Sequence, residues 1–256
     1  MSIQRVNSKW RKSGLLQADR MLRRHVPAAR KLSRKGLSAM LSRYRVVYVK
    51  PNVGMHGDGV IRTERLGGGQ FLLHAETRRR KFASYSQLYK ALQSARSSRR
   101  PHLAQQGVDL QRYHSRRFDI RVMVQRSPGG GWETTGMLAR VAHPDRVVTN
   151  CKNGGHVESL ERIYGTRLSV VRRKLSRIGK RTAAVLRRRY PRIKEIGLDV
   201  GLDATTAHPW IIEVNTSPDP FLFMKLPDWR PFRKIMNYAR AYSKNTGKRV
   251  KRGRRR

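Results

Sequence analysis

The chain carries a single cysteine, Cys151. That excludes an intramolecular disulfide framework and suits a reducing compartment. No stretch approaches the roughly 18 uninterrupted apolar residues of a membrane helix. The opening MSIQRVNSKWRKSG is basic, but no apolar run follows, so no secretory signal is expected and a cytoplasmic location is. Acidic residues are scarce, 16 against 58 Lys and Arg. Apolar residues make up 38% and aromatics 7%, low values that still allow a core at this length, in one large domain or two modest ones. No repeat of solenoid period is visible.

What is abundant is positive charge, a formal +42. Such a surface attracts polyanions: nucleic acid, acidic peptides or polymers, and anionic headgroups. The charge is clustered. Residues 1–45 hold 13 Lys/Arg against Asp19 alone, 167–194 hold 12 and no acid, and the tail KNTGKRVKRGRRR (244–256) holds 8 and no acid. The composition of that tail predicts a disordered basic arm.

Hydrophobic periodicity predicts the elements. Leu168, Val171, Leu175, Ile178, Val185 and Leu186 recur at helical spacing, giving an amphipathic helix over 167–190 with a solvated basic face. YRVVYVK (44–50) reads as a strand. RRFDIRVMVQ (116–125) alternates, with Phe118, Ile120, Val122 and Val124 on one face and Asp119, Arg121 and Met123 on the other. SPGGGW turns the chain so that 132–142 returns antiparallel. ASYSQLYKALQSAR (83–96) reads as a helix capped by Ser84, and 101–110 as a short strand leading into a loop. KEIGLDVGLD (194–203) and PWIIEV (209–214) form a second hairpin, and 230–244 a closing helix. The order predicts an α+β chain with mainly antiparallel sheets and helices packed on them.

Three segments carry chemistry. In KPNVGMHGDGVIR (50–62), Lys50 ends a strand and Gly54, Gly57 and Gly59 follow. Glycines let backbone N–H groups approach phosphate oxygens and the lysine supplies a point charge. A plain Gly-rich hairpin loop would read the same way. In GLDVGLD and WIIEVN, Glu213 and Asn215 share one strand face, and the hairpin can bring Asp199 or Asp203 opposite. Three oxygen donors on neighbouring strands suit Mg2+; carboxylates balancing nearby arginines are the alternative. TNCKNGGH (149–156) is a polar loop in which Cys151 and His156 have no acid to orient them, so a nucleophilic role is not expected.

Taken together, VVYVKPNVGMHGDGVIR, AQQGVDL, RRFDIRVMVQ, GGWETTGMLARVA, VTNCKNGGHVESL, IGLDVGLD and WIIEVNTSP resemble, in order and across about residues 44–220, the ATP-grasp superfamily. Within it they are most similar to the YheC/YheD family of endospore coat-associated proteins. The resemblance implies an ATP-grasp fold, with ATP held between two α+β subdomains. Lys50 and the loop with Gly57 and Gly59 would meet the phosphates. Gln106, Gly107 and Val108 would form the hinge beside the adenine, and Asp119 and Asn150 would contact the nucleotide. Arg140 would approach the phosphates or an acyl phosphate. Asp199, Glu213 and Asn215 would hold Mg2+, and Ser217-Pro218 would lie beside the acceptor. Related ligases place an arginine where Gly197 stands, so Arg121 or Arg140 is expected to replace it.

The expected division is a basic, helix-prone segment 1–43 in place of a missing or reduced N-terminal domain, an ATP-grasp domain 44–244 (44–108 and 109–244), and the tail 245–256. Two functions follow. One is an ATP- and Mg2+-dependent carboxylate–amine ligase acting on an acidic small molecule, peptide or polymer, spore-associated by resemblance. The other is a polyanion-binding or spore-structural protein on a degenerate scaffold, binding through its basic arms. Oligomeric state is not readable.

Overall fold

The computed structural model describes residues 3–54, 57–96, 100–144, 149 and 154–251, with side chains to Tyr242. In chain order the elements are α1 (Lys9–Ala18), β1 (Ala29–Lys31), α2 (Arg34–Arg43), β2 (Val46–Pro51), β3 (Ile61–Arg65), β4 (Phe71–Ala75), β5 (Arg78–Phe82), α3 (Tyr85–Ala95) and β6 (His102–Gln106). There follow β7 (Arg112–Tyr113), β8 (Arg116–Arg126), β9 (Trp132–Val141), β10 (His156–Glu158), α4 (Leu160–Tyr164), α5 (Leu168–Arg189), β11 (Glu195–Leu202), β12 (Pro209–Asn215) and α6 (Arg230–Lys251).

Two sheets result. The first runs β1-β6-β2-β3-β4-β5, and the second β10-β9-β8-β11-β12 with β7 on β8. Every strand pairing among the described residues is antiparallel. The predicted α+β class and hairpins are therefore present.

Each sheet has its own core. In the first, Val47 and Val49 of β2 meet Leu37 and Leu41 of α2 and Leu88 and Leu92 of α3. Ser33 and Ser84 start the two helices, each side chain accepting a backbone N–H three residues on, which satisfies a donor that the first turn leaves open. In the second, Phe118, Ile120, Val122 and Val124 pack on Leu175, Ile178 and Leu186 of α5.

The opposite face of β8 is also covered. Asp119 and Arg121 are buried, and two residues on Met123 joins Leu138, Phe223, Leu226 and Ile235 under α6. One strand face thus begins as a polar site and ends as core.

Residues 1–43 do not stand apart from the two lobes. Leu16 and Leu22 belong to the second core, while β1 pairs with β6 in the first sheet and α2 covers it. The first lobe thus reaches back to Ala29, ahead of the expected start at residue 44. At the other end the α6 backbone continues to Lys251, into the segment expected as an arm. Residues 252–256 lie outside those described. No helix among the described residues is long and apolar enough to cross a membrane.

Candidate functional site

The two sheets face each other across a cavity of about 500 Å³. Its first wall follows from the alternation along β2. Val47 and Val49 are spent on the core, so Tyr48 and Lys50 point the other way and line the cavity. Lys50 is buried, and that burial draws its ammonium down to about 8, with Glu213 pulling the other way. The next loop passes through left-handed backbone at Gly57 (φ 77°) and Gly59 (φ 69°), where a side chain would add strain. Gly57 lines the cavity. Gly59 does not; it turns the loop against Pro51, whose Cγ lies 3.2 Å from where a Cβ would sit.

α1 ties this loop to the second lobe. The Asn52 side-chain oxygen accepts from the Trp10 backbone N–H at 2.9 Å and from Ser8 Oγ at 3.2 Å. Lys9 Nζ donates to Gly54 O at 2.8 Å and stands 3.4 Å from Glu213 Oε1. Lys12, one turn on, is buried and drawn down to about 8 by burial, against the pull of Glu213.

The second wall is set by strand register. Arg121, Asp199 and Glu213 fall in one row across β8, β11 and β12, and Asp119 stands opposite Arg140 on β9. The side chains form a closed ionic network. Arg140 donates to both Asp119 oxygens at 2.8 and 2.7 Å and reaches Asp199 Oδ2 at 2.8 Å. Arg121 Nε donates to Asp199 Oδ1 at 2.7 Å. Burial pushes the Asp199 carboxyl up, but Arg121 and Arg140 outweigh it and hold the group below its ordinary value. Burial opposes the charge on Arg140 as well, and its two aspartates keep it protonated.

Gly197 explains how Arg121 reaches this position. A Cβ there would lie 2.8 Å from Pro218 Cβ and 3.3 Å from Arg121 Cδ. The missing side chain on β11 is the space through which the Arg121 side chain passes from the adjacent strand. Both arginines expected to substitute at Gly197 touch Asp199, and Arg121 is the one that occupies the vacated space.

Twelve expected residues line the cavity: Lys50, Gly57, Gln106, Val108, Asp119, Arg121, Arg140, Asp199, Glu213, Asn215, Ser217 and Pro218. Gly107 does not. Its backbone N–H is bonded to Val46 O at 2.8 Å, and a Cβ would lie 2.6 Å from a Val46 methyl, so it serves close strand packing behind the wall. The Gln106 side chain accepts from the Ala28 N–H at 3.1 Å and so braces the same edge. Asn150 and Cys151 lie outside the described residues. Thr149 is described: its hydroxyl donates to Asp119 Oδ2 at 2.6 Å. Asp203 is not part of the site; it accepts the N–H groups of Thr205 and Thr206 in the hairpin turn.

Among the described residues no three of His, Cys, Asp and Glu gather as a metal cluster. The oxygen donors are Asp199, Glu213 and the Asn215 amide oxygen, while the Asn215 amide nitrogen donates to Asp199 Oδ2 at 3.5 Å. Two carboxylates and an amide fit Mg2+ completed by phosphate oxygens and water. Five cations (Lys9, Lys12, Lys50, Arg121, Arg140) surround the three carboxylates Asp119, Asp199 and Glu213. This positive excess suits a polyphosphate more than a bare metal ion.

Sequence reasoning did not single out Lys9, Lys12, Tyr48, Gln105, Thr149 or Lys225. For Lys9 and Lys12 the sole signal was a basic N-terminal helix among many basic segments. Their convergence on Glu213 is a long-range contact that no spacing reveals. Tyr48 and Gln105 were accessible from the period of their strands.

A family model described as YheC/D like ATP-grasp matches residues 3–245. The endospore coat-associated protein YheD of Bacillus subtilis is 28% identical over 225 residues, 84% of this chain and 49% of its own length. The endospore coat-associated protein YheC of the same organism is 24% identical over 223 residues, 82% of this chain and 59% of its own. The chain thus spans about half the length of the relatives it matches. Among solved structures, D-cycloserine synthetase DcsG superposes with a TM-score of 0.55 at 12% identity, covering 91% of this chain and 70% of that one. N5-carboxyaminoimidazole synthetase from Staphylococcus aureus, complexed with ADP, gives 0.52 at 8% identity, covering 91% and 50%.

Proposed function

The chain belongs to the YheC/D-like ATP-grasp family, and from that premise we propose that its inter-lobe cavity binds ATP with Mg2+ and activates a carboxylate for attack by an amine. The observation that carries this reading is the meeting, in one cavity, of Lys50 from the first sheet with Asp119, Arg121, Arg140, Asp199, Glu213 and Asn215 from the second. A fold neighbour holds ADP, which supports a nucleotide in the same cleft.

Lys50 and the Gly57 loop hold the phosphates, and the sheet edge at Gln106 and Val108 receives the adenine. Asp199, Glu213 and Asn215 hold Mg2+, which when bound neutralises phosphate charge. In the reaction a carboxylate oxygen attacks the γ-phosphorus, its bond to the β-phosphate oxygen breaks, and ADP leaves. The amine then forms the C–N bond, and inorganic phosphate departs with the electron pair while the released proton passes to solvent. Arg121 and Arg140 donate into the region where negative charge develops on the acyl phosphate, from positions already organised by Asp119 and Asp199. No side-chain nucleophile is required, and positioning supplies much of the rate.

Mg-ATP should raise the melting temperature of the wild-type chain, by about 2.7 kcal/mol of stabilisation at a hundredfold excess over Kd. It should leave Lys50→Met and Glu213→Ala unchanged. A wild-type chain that does not respond to Mg-ATP would sink the reading. An association with the endospore coat, as its two Bacillus subtilis relatives are named for, is part of the same proposal.

A second reading, capture of an anionic polymer, has its own observation. Edge strand β5 presents Arg78, Arg79, Arg80 and Lys81 in succession, all exposed, and among the described residues none of the four has an acidic partner. The basic surface then includes a folded sheet edge.

A further inference from the structure

The far end of the cavity differs from the rest. Beyond Pro218 the wall is made by Asp219 and by Phe221, Leu222 and Lys225, the last three on the 3-10 turn that follows β12. This turn divides its side chains between two tasks. Phe223 and Leu226 enter the core beneath α6, with Leu222 packed partly against it, which fixes the turn; Phe221, Leu222 and Lys225 line the cavity. Phe221 remains 60% exposed, and with Met224 and Trp229 it makes three of the five large apolar side chains exposed among the described residues. In a chain of mean hydropathy −0.68, an exposed Phe221 beside Leu222 in the cavity wall offers an apolar contact surface.

The charges at this end are also distinct. Asp219 accepts the Phe221 N–H at 2.9 Å through Oδ1, and among the described residues its Oδ2 has no partner. Lys225 has no ion pair among the described residues. One carboxylate, one ammonium and an apolar wall therefore stand together beside the place where the acyl phosphate would form.

We infer that this turn is the acceptor subsite and that the acceptor is an apolar α-amino acid, its amine toward Asp219, its carboxylate toward Lys225 and its side chain on Phe221 and Leu222. The inference rests on the nucleotide reading above and narrows it, since the net charge of the whole chain had pointed to an acidic acceptor. Local chemistry is the better guide here: the basic excess is spread over helices α5 and α6 and strand β5, whereas the mouth itself is balanced and apolar.

The test is calorimetric titration of the full chain, loaded with Mg2+ and a non-hydrolysable ATP analogue, with L-phenylalanine, L-leucine, L-glutamate and phenethylamine. L-phenylalanine and L-leucine should bind and L-glutamate should bind more weakly. Phe221→Ala should weaken L-phenylalanine by roughly tenfold, the scale of lost apolar contact in a pocket. Lys225→Glu should remove the advantage of L-phenylalanine over phenethylamine. Both positions are exposed, so neither variant threatens folding. Preference for L-glutamate, or indifference of binding to both substitutions, overturns the assignment. If the analogue binds and no amino acid does, the acceptor assignment alone fails. If the analogue itself does not bind, the nucleotide reading falls and this one with it.

Discussion

Arg140 is the strongest point of leverage in the molecule. Its guanidinium is buried, bidentate on Asp119 and within 2.8 Å of Asp199. Arg140→Met keeps most of the volume and removes the charge. Two buried carboxylates would then share Arg121 and the Thr149 hydroxyl. Removing one partner of a buried ionic group costs about 3–5 kcal/mol. For a chain of this size that lowers Tm by on the order of 10 °C.

The deficit should depend on pH with a defined sign. In the wild type, burial raises the Asp199 carboxyl and the two arginines hold it below its ordinary value, with the arginines dominant. Its stabilising contribution is therefore complete at neutral pH and is lost as pH falls through the depressed native value. Without Arg140 the carboxylates are penalised at neutral pH, and protonation relieves the penalty as pH falls toward the ordinary carboxylate value of about 4. The gap in Tm between wild type and variant should be widest near pH 7 and should close toward acid. Thermal unfolding followed by circular dichroism across pH 3.5–7.5 reads it. Arg140→Met/Asp119→Asn should recover part of the loss, because one of the two uncompensated charges goes with it. A single variant melting within about 2 °C of wild type at pH 7, with a flat pH profile, would refute the network as described.

Other perturbations separate the parts. Lys50 and Lys12 are drawn down to about 8 by burial, so nucleotide affinity should fall as pH rises above that value and Lys50 loses its charge. In the free chain the same shift makes stability rise between about pH 8 and 10.5, since the unfolded lysines bind more protons there; an affinity independent of pH up to 10 contradicts the burial of Lys50. Gly197→Ala places a methyl against Pro218 and Arg121 and should cost about 1–3 kcal/mol. Its Mg-ATP response should also weaken if Arg121 is displaced. Replacing Arg78, Arg79, Arg80 and Lys81 by Ser should leave nucleotide binding intact and flatten the salt dependence of any duplex DNA affinity, whose slope is about −0.9 per phosphate neutralised; an unchanged slope assigns the affinity to other basic segments.

Much of this protein was legible before folding because its signals are local. Alternation in 116–125 and 44–50, the Gly-rich turn at 127–132, and helix 168–189 with its regular apolar stripe each depend on neighbours a few residues apart. The shared face of Glu213 and Asn215 follows from the two-residue period of strands; the hairpin left Asp199 and Asp203 both open, the resemblance favoured Asp199, and the register places it opposite Glu213. So the elements, the antiparallel hairpins and the Glu213/Asn215 pair could be read directly.

Tertiary structure decided what lies on the far side of long sequence separations. The segment 1–43 looked like a basic prelude, yet Leu16 enters the second core, β1 extends the first sheet, and Lys9 reaches Glu213. The resemblance set Arg121 or Arg140 against the arginine absent at Gly197; only the register of β8 against β11 shows that the glycine makes room for Arg121. The polar face of β8 read as simply opposite to the core, and only the packing of α6 and Phe223 shows it changing from site to core at Met123. Local pattern determines which way a side chain points from its own strand. What it then meets depends on which distant strand lies beside it, and that is set by packing of the whole chain.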